Sequence, residues 1–168
     1  MRVLALLIAA AVPACMAMQC PGSDAYMHAS CRVELTTTAS CDAARDEIYA
    51  RVNGQYDAWH DPHNNGTYAV LSDDGSVLEL KRVTGNLKYT DKMDFTFTES
   101  GSGCKLTGCS ESQVNSIADY STNYCNLRML YCNTADGCSP VTQDLGASET
   151  SVKPSWGASS DASACLVV

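Results

Sequence analysis

The sequence predicts an α+β domain held by disulfides, with a four-stranded antiparallel sheet and two helices packed on one face. Three observations predict it. Apolar residues recur at helical spacing over 41–52 and again over 122–131. Between these stretches, from 67 to 112, the period falls to two and turn residues punctuate it. Nine cysteines follow a hydrophobic leader, ten in the chain less Cys15.

The first helix is expected over 41–52. Ser40 is a good N-cap and Asp42 suits the first turn. Cys41, Ala44, Ile48 and Val52 form one apolar stripe, Arg45, Asp46 and Arg51 are expected to face away, and Asn53-Gly54 is a stop signal. Thr67 to Leu71 and Val77 to Val83 flank Asp73-Asp74-Gly75-Ser76, a sequence with hairpin chemistry. Met93, Phe95 and Phe97 then alternate with Asp94, Thr96 and Thr98, which sets one buried face against one wet face. Cys104 to Ser112 returns after a Ser/Gly turn, with Leu106 pointing inward. The chain's two phenylalanines both lie on the third of these strands, which is therefore expected to be central. The second helix is expected from about Thr122 to Tyr131, with Leu127, Leu130 and Tyr131 on its apolar side. The order α-β-β-β-β-α implies helices on one face of a meander.

The ends are read differently. Arg2 followed by the apolar run 3–12, then Pro13 and small residues before Ala17, has the pattern of a signal peptide over 1–17. Residues 18–37 are expected to form a loop with two cysteine anchors. The main domain spans 18–138. From 139 to 168 the chain is rich in Ser, Ala, Gly, Thr and Asp, and a mostly disordered tail is expected. Export makes disulfides the default. Cys31, Cys41, Cys104, Cys109, Cys125, Cys132 and Cys138 are the pairing candidates. The count is odd, and Cys20 and Cys165, in poorly patterned ends, are the expected free or intermolecular thiols. No segment beyond the leader is apolar for long enough to cross a membrane. With 11 basic against 19 acidic residues, the net charge is −8. Phosphate backbones repel such a chain, so nucleic acid is an unpromising partner.

Three segments hold groups capable of chemistry. Trp59, His60, Asp61 and His63 lie in a polar loop before the first strand, where imidazole and carboxylate are natural metal ligands. Asp61-Pro62 and Asn64-Asn65-Gly66 also read as plain turn chemistry. Asn65-Gly66-Thr67 is a glycosylation sequon. Arg82 and Asp91 are expected to face each other across adjacent strands, as an anion clamp and a base or as an exposed ion pair. Ser110 and Ser112, with Asn123 beyond them, are dense in hydrogen-bonding groups and are expected near a cleft. A serine with His63 and Asp91 makes a hydrolase triad on paper. However, Gly108-Cys109-Ser110-Glu111-Ser112 lacks the last glycine of a nucleophile elbow. His28 is expected to be solvated.

The segments WHDPHNNGTY, TGNLKYTDKMDF and CSESQVNSIADYSTNYCNLRMLYC, with Cys104 and Cys109, resemble a group of secreted, cysteine-rich proteins of algae and other protists. The likeness spans residues 31–138, and the group has no assigned function. A fainter resemblance is to a bacterial and plastid family of unknown function. Its signature is an Asp-containing strand followed by Ser-x-Ser-x-x-Gly-x-Ser-Asp-x-Gly-x-Asn-Arg. Asp91, Ser110, Ser112, Asp119 and Asn123 fall in similar order here, with Asn115 where glycine is expected and Tyr124 where arginine is expected. That resemblance implies a compact α+β fold, with any shared anion site lacking its arginine.

Three functional classes follow. The chain is a non-catalytic extracellular binding or surface protein, or a hydrolase or metal-dependent enzyme at His60, His63 and Asp91, or a structural protein assembling through its odd cysteine. The first is the best supported by these residues. No residue is assigned as catalytic or as a metal ligand, and no cofactor is called for.

Overall fold

The computed structural model describes residues 20–55 and 57–167; the leader expected over 1–17 lies outside them. The elements in chain order are β1 (Ser30–Thr37), α1 (Cys41–Gly54), β2 (Thr67–Asp73), β3 (Val77–Val83), β4 (Thr90–Ser100), β5 (Gly103–Ser112), α2 (Thr122–Arg128) and β6 (Ser148–Pro154), with three short 3₁₀ turns. The sheet has six strands, not four, in the order β2-β3-β4-β5-β1-β6, and every neighbouring pair is antiparallel. The meander β2 to β5 is as the period of two implies, and β4, with both phenylalanines, is an interior strand.

The two additional strands come from the two segments expected to be irregular. β1 alternates cleanly: Cys31, Val33, Leu35 and Thr37 are buried, while Arg32 and Thr36 are exposed. It pairs with β5, the partners lying 67 (Thr37–Cys104) to 81 (Ser30–Glu111) residues apart in sequence, so no local turn announces it. β6 lies at the sheet edge against β1. Its inward Glu149 is satisfied by polar partners rather than by apolar packing. The Glu149 carboxylate accepts from Tyr131 Oη at 2.7 Å, Tyr124 Oη at 3.0 Å and Arg128 Nη1 at 2.7 Å. Residues 139–167 are therefore an ordered part of the domain, not a disordered tail.

Both helices cover the same face. Along α1 the Ser40 hydroxyl accepts from Ala43 N at 3.3 Å, the expected N-cap. Ala44, Ile48 and Val52 enter a core with Leu35, Leu78, Leu80, Met93, Phe95, Leu106, Leu127 and Leu130. Gly108 makes room for the Phe95 ring, because a Cβ there would stand 2.9 Å from the ring edge. Arg51 does not face away. It is buried, pairs with Glu47 at 2.8 Å, and donates to the carbonyls of Met129 and Cys132, each at 2.8 Å. Those carbonyls follow α2 and have no partner within the helix, so a guanidinium from α1 caps them.

Four disulfides join Cys20–Cys109, Cys41–Cys104, Cys125–Cys165 and Cys132–Cys138. This set corrects the sequence expectation. Cys20 and Cys165 are both bridged, and among the described residues the free thiol is Cys31, buried on β1. Terminal cysteines are the natural staples for ends with few apolar anchors. Such a set of bridges fits an oxidising compartment. Among the described residues no helix is long and apolar enough to cross a membrane.

The Cys20–Cys109 bridge holds the start of the described chain on the other face of the sheet. There His28 is partnered rather than solvated: its Nε2 lies 2.8 Å from Glu111 Oε1, and Gly22 N donates to Glu111 Oε2 at 2.7 Å. Asp94 is buried on the same face. Burial, with Glu79 and Glu111 nearby, raises its carboxyl to about 7.

Two outcomes follow. A protein beginning at Met18 should show no thiol reactive to an aromatic disulfide reagent while folded, because burial pushes Cys31 up to about 12. Unfolding in guanidinium should release one; a reactive thiol in the native protein contradicts the pairing. For Asp94, the native state holds a proton that the unfolded state releases. Its contribution to stability is complete below the unfolded carboxyl pKa and is lost as the pH rises through about 7. Asp94→Asn should therefore unfold at higher urea than wild type at about pH 8, with that advantage shrinking toward about pH 4. A difference independent of pH contradicts the buried carboxyl.

Candidate functional site

Register places four polar side chains in one row across the helix-covered face. Tyr68 on β2 stands opposite Arg82 on β3, Arg82 opposite Asp91 on β4, and Asp91 opposite Ser112 on β5. The row closes one end of the core. The sheet, the loop 59–66 and α2 bury all four side chains, so their polar groups need partners within the protein, and of the row's polar atoms Arg82 Nη1 is left without one. Two clusters result.

The first surrounds Arg82. Its Nε donates to Asp61 Oδ2 at 2.8 Å, and neither side chain is exposed. Asp61 also accepts from Tyr68 Oη and from His63 N, each at 2.8 Å. Arg82 Nη2 donates to the His63 carbonyl, and Tyr68 Oη also lies 3.2 Å from the Asn126 carbonyl. Gly66 is required here: a Cβ would lie 2.1 Å from the Arg82 guanidinium carbon. Trp59 packs edge-on against Tyr68 with ring centres 5.6 Å apart. Burial, and Asp61 next to it, hold the Tyr68 hydroxyl well above its ordinary pKa. This cluster is charge-balanced, leaves only Arg82 Nη1 without a hydrogen-bond partner, and fixes the loop 59–66 to the sheet.

The second cluster is a ring of hydrogen bonds. Ser112 Oγ donates to Asp91 Oδ1 at 2.8 Å, and Asn123 Nδ2 donates to Ser112 Oγ at 3.1 Å. Ser110 Oγ donates to Asn123 Oδ1 at 2.8 Å, and Asn126 Nδ2 donates to Ser110 Oγ at 2.9 Å. Asn126 Nδ2 closes the circuit on Asp91 Oδ2 at 2.8 Å. Asp119 joins from outside, accepting from Asn123 N at 3.1 Å and from Asn123 Nδ2 at 3.0 Å. Burial raises the Asp91 carboxyl, and the Asp119 charge adds to that, against the hydrogen bonds from Asn126 and Ser112 and the Arg82 charge.

Asp91, Ser112 and Asp119 face a pocket of about 170 Å³. Tyr89 and Tyr120 stand at its rim, and Asn64, Asn86 and Thr122 line its wall. Tyr120 and Ser121 are held at positive φ, 50° and 68°. For non-glycine residues such a conformation costs about 1–3 kcal/mol each and persists only where neighbours impose it.

The candidates read from sequence divide accordingly. Asp91, Ser110, Ser112 and Asn123 converge on one ring. Asp61, His63 and Arg82 share the adjoining cluster, with Trp59 behind them. His60 is exposed on the surface and joins neither. His63 Nδ1 lies 2.8 Å from the Ala164 carbonyl and Nε2 lies 3.2 Å from Thr122 Oγ1, so neither ring nitrogen is bonded to Ser110 or Ser112. Arg82 and Asp91 are cross-strand neighbours as expected, but both are buried and each is bonded elsewhere. Arg82 is thus neither an exposed ion pair nor an accessible anion clamp. Among the described residues, no three His, Cys, Asp or Glu side chains cluster as a metal-ligand set. Asn126 and the pocket-lining Tyr89 escaped the sequence reading, whereas Tyr120 and Thr122 lie in the polar run 119–124 expected to line a cleft. The signal for Asn126 is its spacing of three from Asn123, on the helix side that also carries Leu127 and Leu130.

Arg82→Met should lower the unfolding free energy by about 3–5 kcal/mol, since it leaves Asp61 buried without its counter-charge. Urea denaturation reads this directly. A loss under about 1 kcal/mol is what an exposed pair gives, and it would contradict the burial described.

No protein-family model matches the chain, and no curated protein matches it. Among solved structures the chain is similar to CalU16 from Micromonospora echinospora, with 12% identity and a TM-score of 0.44, covering 66% of this chain and 76% of that one. It is also similar to the Mll3558 protein from Rhizobium loti, with 16% identity and a TM-score of 0.33, covering 51% and 79%. Neither likeness is close enough to inform the site.

Proposed function

We propose that the protein is a non-catalytic extracellular binding domain that takes a small polar ligand in the pocket over Asp91, Ser112 and Asp119. One observation carries this reading: the pocket floor is part of a closed hydrogen-bond ring, so its polar groups are held in place before any ligand arrives. Fixed groups lose little entropy on binding.

Two features favour binding over hydrolysis. Ser112 is bonded to Asp91, but a carboxylate alone is too weak a base to ionise a serine hydroxyl, and the imidazole of His63 is committed to Thr122 and Ala164. Assembly through an unpaired thiol is disfavoured, because Cys31 is buried rather than displayed. The leader-like pattern over 1–17 and the four disulfides support export. Asn65 is exposed, as a glycosylated sequon residue must be, and glycosylation there belongs to the same reading.

A fragment screen by amide chemical-shift mapping tests the reading. Binding fragments should move the amides of Ser112, Asp119, Tyr120 and Thr122. Ala118→Trp, which fills the mouth from an exposed position, should abolish those shifts with the melting temperature unchanged. Fragments that bind only elsewhere, with the pocket amides still, would remove the pocket from consideration.

A further inference from the structure

Resting on the pocket reading above, we propose that the ligand is a small organic cation: an ammonium group on a ring or short chain, with its charge against Asp91 and Asp119 and its body against Tyr120. The pocket has an unusual charge balance. Asp91 and Asp119 are the ionisable acids of its lining, and no lysine, arginine or histidine shares that lining. The nearest buried cation, Arg82, is already balanced by Asp61 at 2.8 Å. Two carboxylates therefore share a semi-enclosed space with no counter-ion of their own. In such a space charge acts more strongly than in water.

The acceptor geometry points the same way. A carboxylate offers about four acceptor sites. Each Asp91 oxygen takes one donor, from Ser112 and from Asn126. Asp119 Oδ2 takes two donors from Asn123, while Oδ1 has only a long contact of 3.4 Å from Ser159 N. A donor-rich cation would complete both carboxylates. A neutral polyol would donate without balancing the charge, and an anion would be repelled.

Tyr120 is an independent observation. The residue is 81% exposed, on backbone in the left-handed region. Neither packing nor backbone preference explains a tyrosine there, whereas a ring at the rim of an anionic pocket is suited to a cation. Tyr89, 44% exposed, stands at the same rim. The volume, about 170 Å³, suits a ligand of benzene size, for which a cavity of about 150 Å³ suffices. The net charge of −8 draws cations toward the surface as a whole.

The test compares three probes on the folded, disulfide-bonded protein by amide chemical-shift titration: benzylamine, its neutral isostere benzyl alcohol, and methyl glucoside. Benzylamine should bind with its shifts on Ser112, Asp119, Tyr120 and Thr122, at least about tenfold tighter than either neutral probe. Its affinity should fall as sodium chloride rises from about 20 to about 200 mM. Tyr120→Ala, which removes an exposed ring and leaves the core intact, should weaken it about three- to tenfold. Asp119→Asn should weaken it more. If a neutral probe or a neutral fragment matches or exceeds benzylamine at these amides, the cationic class is overturned and the pocket reading stands. If benzylamine and every fragment leave these amides still, both fall.

Discussion

The structure depends on one constraint. A row of polar side chains is buried on the same sheet face that carries the hydrophobic core. Tyr68, Arg82, Asp91 and Ser112 lie on neighbouring strands at matching register, and the period of two turns them all inward. A buried donor or acceptor without a partner costs about 1–3 kcal/mol, and an unpaired charge costs more. The row is tolerable only because the loop 59–66 brings Asp61 to Arg82 and α2 brings Asn123 and Asn126 to Ser110, Ser112 and Asp91. Satisfying these groups therefore fixes where α2 and that loop must lie. The apolar core fixes less, since leucines accept many neighbours while a guanidinium accepts few.

The same logic extends to the ends of the chain. Arg51 crosses from α1 to the carbonyls after α2, and Glu47, its partner, accepts from Thr142 N and Gln143 N at 3.2 and 2.8 Å. Glu149 gathers two tyrosine hydroxyls and Arg128. These contacts hold the polar segment 139–154 where apolar area alone would not. Disulfides complete the arrangement, with Cys125–Cys165 joining the last turn to α2 and Cys20–Cys109 joining the start of the described chain to β5. Small domains with limited cores rely on such bridges.

How much of this was legible in the sequence differs by element. The α1 cap, the hairpin at Asp73 to Ser76 and the alternation around Phe95 each declare themselves within a few residues, because their causes are local. β1 carried the same signal in Cys31, Val33 and Leu35, but a lone alternating stretch does not name its partner strand. β6 carried little apolar signal, because of its positions opposite Val33 and Leu35 only Val152 is apolar, the other being the charged Glu149. The ring members Asp91, Ser110, Ser112 and Asn123 could be found as polar residues at inward-facing or helix-facing positions. Their closure through Asn126 could not, since it depends on how α2 crosses the sheet. The cysteine pairing is likewise a property of the assembled fold. A buried β-strand cysteine and two stapled ends look alike as letters.

The two polar clusters differ in a way that separates architecture from function. Around Arg82 the charges sum to zero, the hydrogen bonds point inward and a glycine is required to fit the guanidinium. Every feature there serves to close the structure. Around Asp91 the ring of bonds is complete on its inner side, yet the carboxylates of Asp91 and Asp119 look outward into a space with no positive charge. Folding alone rewards neither that imbalance nor an exposed aromatic ring on strained backbone at the rim. Natural domains satisfy local rules nearly everywhere, and departures gather where something else is selected. Because the Arg82 cluster holds the sheet and loop firmly, the ring beside it can line an open pocket without collapsing into it.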